Sequence, residues 1–181
     1  MTELDRRKFL KSAAAATAIG VVSGCVNTTQ SANKTLLKQQ GASVMGLALP
    51  KMDVVRVGFI GVGGRGTGHV KHYCQLEGVE IKAICDTHEE VLDRSISYVV
   101  AQGFAKPDRY TGSDYAYRRM LARPDIDIVI ISTPWKWHTP MSVDTMESGK
   151  HAFVEVPAAT TLDECWQLVN TAERTQKNCM M

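Results

Sequence analysis

The chain has 181 residues, with 21 Lys and Arg against 19 Asp and Glu, for a net charge of +2 at neutral pH. That balance excludes a basic nucleic-acid-binding surface, and 44% hydrophobic residues beside 22% charged ones exclude a disordered polypeptide. Arg6, Arg7, Lys8 and Lys11 against Glu3 and Asp5 supply the whole surplus, so the remainder is neutral.

The N-terminal run Asp5-Arg6-Arg7-Lys8-Phe9-Leu10-Lys11 has the twin-arginine form. An alanine-rich, weakly hydrophobic stretch follows from Ser12 to Gly24, too short to span a bilayer comfortably. Residues 1–32 therefore read as a signal peptide for export in the folded state, to the periplasm or the cell envelope, rather than as a basic amphipathic helix. Two processing routes stay open. Val22-Ser23-Gly24-Cys25 resembles a lipoprotein site, which would give Cys25 a lipid anchor, and an ordinary cut after Ala32 would not. Residues 33–52 are polar and aperiodic and read as a linker.

From residue 53 onward strand and helix patterns alternate, which predicts an α/β fold: a Rossmann-type, doubly wound, mostly parallel sheet. Strands are expected at Val54–Ile60, Val79–Cys85, Arg109–Thr111, Ile126–Ile131 and His151–Glu155. Helices are expected at about Gly66–Gln75, Glu89–Gln102, Asp114–Leu121 and Pro140–Ser148, the last ended by Gly149. Val91, Leu92, Ile96 and Val99 share a face of the second helix. Thr161-Leu162-Asp163-Glu164 has capping-box spacing and opens a helix to about Lys177. Asn178 to Met181 reads as the start of another strand. The expectation is a nucleotide-binding domain over 53–181 that stops inside its sheet, with the second, substrate domain missing. The five cysteines (25, 74, 85, 165 and 179) show neither metal spacing nor a disulfide framework, and Cys85 and Cys165 read as buried thiols.

The function is carried by the junction after the first strand. Gly61-Val62-Gly63-Gly64-Arg65-Gly66 follows the run Val54–Ile60, and Asp86 closes the next strand. Gly61 permits a tight turn, Gly63 allows backbone to approach a pyrophosphate, and Gly66 lets the helix sit against the sheet. The helix N-terminus offers N–H groups and partial positive charge to the phosphates. A carboxylate at Asp86 suits adenosine ribose hydroxyls and repels a 2′-phosphate, so NAD is the expected cofactor. Ligands in such sheets bind at the carboxyl ends of the strands, which singles out the loops 61–66, 132–138 and 155–158. In the second of these, Trp135, Lys136 and Trp137 either pack on the following helix or line the nicotinamide and sugar side of the cleft. His138 either positions the cofactor or caps that helix.

The fingerprint, Ser132-Thr133-Pro134 with His138, and Gly149-Lys150-His151 with Glu155-Val156-Pro157 resemble the glucose–fructose oxidoreductase and inositol dehydrogenase superfamily. Its dehydrogenases usually carry Glu-Lys-Pro, with the lysine near substrate and nicotinamide, where this chain has Val156. The Trp-Lys-Trp-His run together with Glu155-Val156-Pro157-Ala158-Ala159 is similar to glycoside hydrolase family 109, the NAD-dependent α-N-acetylgalactosaminidases. The resemblance implies that Gly64, Arg65, Asp86, Trp135, Lys136, Trp137, His138, Glu155 and Val156 contact NAD. It implies hydrolysis of terminal α-N-acetylgalactosamine by transient oxidation at C3, elimination across C2 and C1, and addition of water. The small-molecule or glycan substrate and the proton-transfer groups would then belong to the other domain. Two alternatives remain at this stage: an exported sugar or cyclitol oxidoreductase, and an NAD-binding chain without catalysis.

Overall fold

The computed structural model describes residues 41–181. The expected signal peptide, the lipidation site at Cys25 and the first part of the linker lie outside the described residues. From residue 41 to 54 the chain forms no helix or strand. Part of it lies against the C-terminal residues, where the Gln176 side-chain amide donates to the Ala42 carbonyl at 2.7 Å.

Six strands make one sheet: β1 (Val55–Ile60), β2 (Val79–Cys85), β3 (Asp108–Tyr110), β4 (Ile128–Ile131), β5 (His151–Val154) and β6 (Cys179–Met180). Their order is β3-β2-β1-β4-β5-β6, and every pairing is parallel. The helices are α1 (Gly64–Tyr73), α2 (Glu89–Ala101), α3 (Tyr117–Leu121), α4 (His138–Glu147) and α5 (Leu162–Thr175). The fold is the doubly wound one expected.

Both faces of the sheet are covered, which is why its strands read as nearly continuous apolar runs. Val57, Phe59, Ile84 and Ile130 face one way and pack with Val70, Leu92, Ile96 and Val99 of α1 and α2. Ile60, Ala83, Val129, Ile131 and Ala152 face the other way and pack with Met120, Met141, Met146, Leu168 and Ala172. Each fully buried large side chain contributes about 1.5–3 kcal/mol. The β1–β2 register slips between Val57 and Gly58, so Val57 pairs with Ile81 and Gly58 with Ala83. This bulge keeps Ile81 and Ile84, three residues apart, on the same face.

Local chemistry moves several boundaries. The capping box at α5 is present: the Thr161 hydroxyl accepts from the Glu164 N–H at 3.2 Å, and the Glu164 carboxylate accepts from the Thr161 N–H at 3.1 Å. The helix expected from Asp114 begins only at Tyr117, because Ser113 holds the chain in a turn. Its hydroxyl accepts from the Tyr115 N–H and its carbonyl from the Ala116 N–H, both at 3.0 Å. Trp135–Trp137 form a 3₁₀ turn, and α4 starts at His138, two residues before Pro140, since a proline in the first turn forfeits no intrahelical bond. β4 begins at Ile128, and the Asp127 carboxylate ahead of it is occupied by Arg56, receiving its backbone N–H and a bidentate guanidinium contact. Cys85 is buried as expected, but Cys165 is exposed. The first turn of α5 lies outside the core, with Leu162 at 72% exposure, and the buried stripe starts at Leu168. Among the described residues no helix is long and apolar enough to cross a membrane.

Candidate functional site

The strand order reverses at β1, between β2 and β4, and the loops leaving these strands open a crevice at their carboxyl ends. β1 runs into Gly61, whose φ of +82° lies in the region glycine tolerates. A Cβ on Gly61 would stand 2.8 Å from the Ser132 carbonyl oxygen, and one on Gly66 would collide with the Gly61 carbonyl. These two glycines are required by the contact of turn, helix and β4. Gly63 and Gly64 meet nothing within 4 Å, so the space above them is open. α1 begins there with no side-chain cap and no acidic residue in its first turn. Its unpaired N–H groups and the positive end of its dipole face that space.

Asp86, at the end of β2, points back to the turn. One carboxylate oxygen accepts from the Val62 N–H at 2.7 Å and the other from the His88 N–H at 2.8 Å. Each oxygen retains a lone pair for a ribose hydroxyl, and the same carboxylate fixes the glycine turn. A cleft of about 340 Å³ runs from Asp86 past Gly63 and Tyr117 to Ser132, Lys136 and Trp137. The Ser132 hydroxyl in this wall is buried with no hydrogen-bond partner in the protein. Burial, and then Asp86, push the Cys85 thiol up to about 12; burial and the bond to Asp144 push the Tyr117 hydroxyl up to about 12. Neither takes up or gives a proton near neutral pH. Open glycines, an uncapped helix start, a paired-hydroxyl acceptor and an orphan hydroxyl fit a dinucleotide that is bound and oriented.

The other residues singled out in the sequence are distributed around this cleft in different ways. Lys136 and Trp137 line it, and Trp137 packs edge-on against Tyr115 at 5.5 Å between ring centroids. Trp135, in the same turn, is 65% exposed. His138 is 1% exposed, and its two ring nitrogens each lie 2.7 Å from a carbonyl oxygen, of Thr133 and of Pro157. It ties the loop after β4 to the loop after β5, and the Thr139 hydroxyl reinforces the link by donating to the Ala158 carbonyl at 2.9 Å. Val156 is 61% exposed beside a cis Val156–Pro157 bond.

Arg65 and Glu155 meet each other, at 2.7 Å between Nε and Oε1. His69, which the sequence reading passed over, reaches the same carboxylate oxygen at 2.6 Å. The available signal was its position four residues after Arg65, on the same helix face. Arg65 first and His69 second hold the Glu155 carboxyl below the usual carboxylate range. Ser113 and Asp114, not singled out as site residues from the sequence, also line the cleft through the turn that shortens α3.

Comparison with known proteins agrees with this geometry. Residues 55–181 match the oxidoreductase family with an NAD-binding Rossmann fold. The chain is 63% identical over 179 residues to a glycosyl hydrolase family 109 protein of Shewanella pealeana, covering 99% of this chain and 39% of that protein. It is 61% identical over 182 residues to one of Shewanella putrefaciens, again covering 39% of the relative. The chain thus spans about two fifths of the length of these relatives. Among solved structures, it resembles an NAD-binding oxidoreductase of Klebsiella pneumoniae, at 21% identity and a TM-score of 0.59, over 70% of this chain and 34% of that one. It also resembles myo-inositol dehydrogenase of Lactobacillus casei, solved with NAD(H) and myo-inositol, at 27% identity and a TM-score of 0.56, over 65% of this chain and 33% of that one.

Proposed function

The chain belongs to the NAD-binding Rossmann oxidoreductase family, and from that premise we propose that it supplies the cofactor-binding half of an NAD-dependent glycosidase acting on terminal α-N-acetylgalactosamine. The 61–63% identity to glycosyl hydrolase family 109 proteins supports the class of reaction. The observation that carries the reading is Val156, an exposed aliphatic side chain next to Glu155 where the resembled sugar dehydrogenases carry lysine. Valine holds no proton, so position 156 offers no acid or base for simple oxidation of a hydroxyl.

Bound NAD supplies a hydride acceptor and donor, which allows sugar C3 to be oxidised, the C1 substituent to be eliminated with loss of the C2 proton, and C3 to be reduced again after water adds. This chain's residues do the holding. Asp86 would accept hydrogen bonds from ribose hydroxyls, the α1 N-terminus and Arg65 would receive the phosphates, and Lys136 with Trp137 walls the cleft. His138 and Thr139 fix the spacing of the two loops between which the reactive ring would lie. Such positioning can be worth about 7–11 kcal/mol of barrier when the sugar is held as well. We further propose export by the twin-arginine route through Arg6 and Arg7, which carries proteins already folded. A cofactor regenerated in every cycle suits a compartment without a nicotinamide pool.

The test is a chimera in which residues 1–181 continue into the remainder of the S. pealeana relative, assayed with a chromogenic α-N-acetylgalactosaminide in deuterated water. The expected result is cleavage with no net NADH and with deuterium at C2 of the released sugar. Cleavage without C2 exchange overturns the mechanism. Steady accumulation of NADH from a free sugar or cyclitol would establish the oxidoreductase reading, which the likeness to myo-inositol dehydrogenase favours.

A further inference from the structure

Two side chains from one face of one helix meet at Glu155. Arg65 Nε stands 2.7 Å and His69 Nε2 2.6 Å from the same Oε1. The two are not equally free. The Arg65 side chain is 74% exposed, in the first turn of α1 beside the open space over Gly63 and Gly64, whereas His69 is 26% exposed. His69 lines a small groove with Tyr73, Phe153 and Ile130. Arg65 also sits at the positive end of the α1 dipole, where a cation is disfavoured unless it meets an anion. A dinucleotide diphosphate over Gly63 and Gly64 would be a second anion within its reach.

Resting on the NAD reading above, we infer that His69 is a positioning residue that keeps Glu155 in place when the diphosphate draws Arg65 away. The Glu155 side chain is only 18% exposed. Left without a partner, it would be a half-buried carboxylate free to turn out of the loop that carries Val156, and such orphaned charges are costly. His69 stays within reach because it is seated in the groove with Tyr73, Phe153 and Ile130. The groups facing His69 are Tyr73 on its own helix, Glu155 after β5, and the Met180 and Met181 side of the groove; Arg65 meets the same Glu155 oxygen. Departure of Arg65 leaves the His69 ring nitrogen, at 2.6 Å, as the remaining side-chain partner of Glu155 on this helix.

The experiment is calorimetric titration of the 181-residue chain with NAD. Three proteins are compared: unmutated, His69→Phe and His69→Gln. His69→Phe should bind about tenfold more weakly, as expected for loss of a hydrogen bond to a charged group. His69→Gln retains an N–H donor and should recover most of the affinity. Ring ¹⁵N shifts of His69, recorded with and without NAD, should move on binding as the ring becomes the remaining partner of Glu155. Failure of the unmutated chain to bind NAD overturns the functional reading. If it binds NAD and His69→Phe matches it in affinity, or the His69 ring shifts do not move, the role of His69 is overturned. Should His69→Phe fail to fold, His69→Gln and the ring shifts decide.

Discussion

Asp86 is proposed to have two tasks, and a single substitution removes both. Its carboxylate is proposed to accept from ribose hydroxyls, and it holds the Val62 N–H of the glycine turn at 2.7 Å. Asp86→Ala should weaken NAD binding by about 1–3 kcal/mol, the usual cost of removing a charged hydrogen-bonding partner. It should also narrow the preference over NADP, since the repulsion of a 2′-phosphate goes with the carboxylate. Calorimetry with both nucleotides checks this, and equal affinities in the unmutated chain would show that Asp86 is no selector. The residues of this turn were readable in the sequence because each glycine answers a local demand of backbone or helix contact. The partners of Glu155 were not readable: Arg65 and His69 lie 90 and 86 residues away from it. Nothing local marks which distant cation will meet a carboxylate. His138 was equally opaque, since a histidine before a helix is compatible with solvent, ligand or, as found, two buried carbonyls.

At the scale of elements, periodicity located all the strands and helices from residue 53 onward, and the differences fall at their ends. Ser113, Pro140 and Asp127 decide those ends through side-chain bonds or a missing N–H, which a hydrophobic pattern does not register. Cys165 shows the converse: its apolar pattern is real, but the turn that holds it has no layer to pack on. The β5–β6 edge carries a titration. His151 opens β5 and is buried, and its Nδ1 accepts from the Asn178 N–H at 3.0 Å. Burial first, and Lys177 second, push its pKa below the ordinary value of 6.5. The unfolded chain therefore binds this proton at higher pH than the folded one. The stability it contributes is fully present above 6.5 and is lost as pH falls through the window below it. Urea midpoints should decline from pH ~7 to pH ~5, and His151→Gln should remove that part of the decline.

For the whole molecule, the charge that sets the net balance sits in the first eleven residues, and the proposal of export rests on them. Replacing Arg6 and Arg7 with lysine should leave precursor in the cytoplasm on fractionation, and normal export of that variant would exclude the twin-arginine route. Fold and cofactor were legible before any coordinates because they depend on repeated local patterns. The proposed sugar substrate was not legible from local patterns, and the chain spans about two fifths of its relatives' length.

The place of β1 bears on how the domain comes apart. It is bonded to β2 on one side and β4 on the other, and Val57, Phe59 and Ile60 are almost wholly shielded from water. Opening a sheet of this kind begins at its margins, here the three residues of β3 and the two of β6. The amides of β1 should therefore be the last to exchange with solvent. The glycine turn, proposed to receive the phosphates, grows directly out of that strand. Partial unravelling of either margin thus leaves that turn anchored, and the proposed grip on the nucleotide is coupled to the last cooperative unit of the domain to melt.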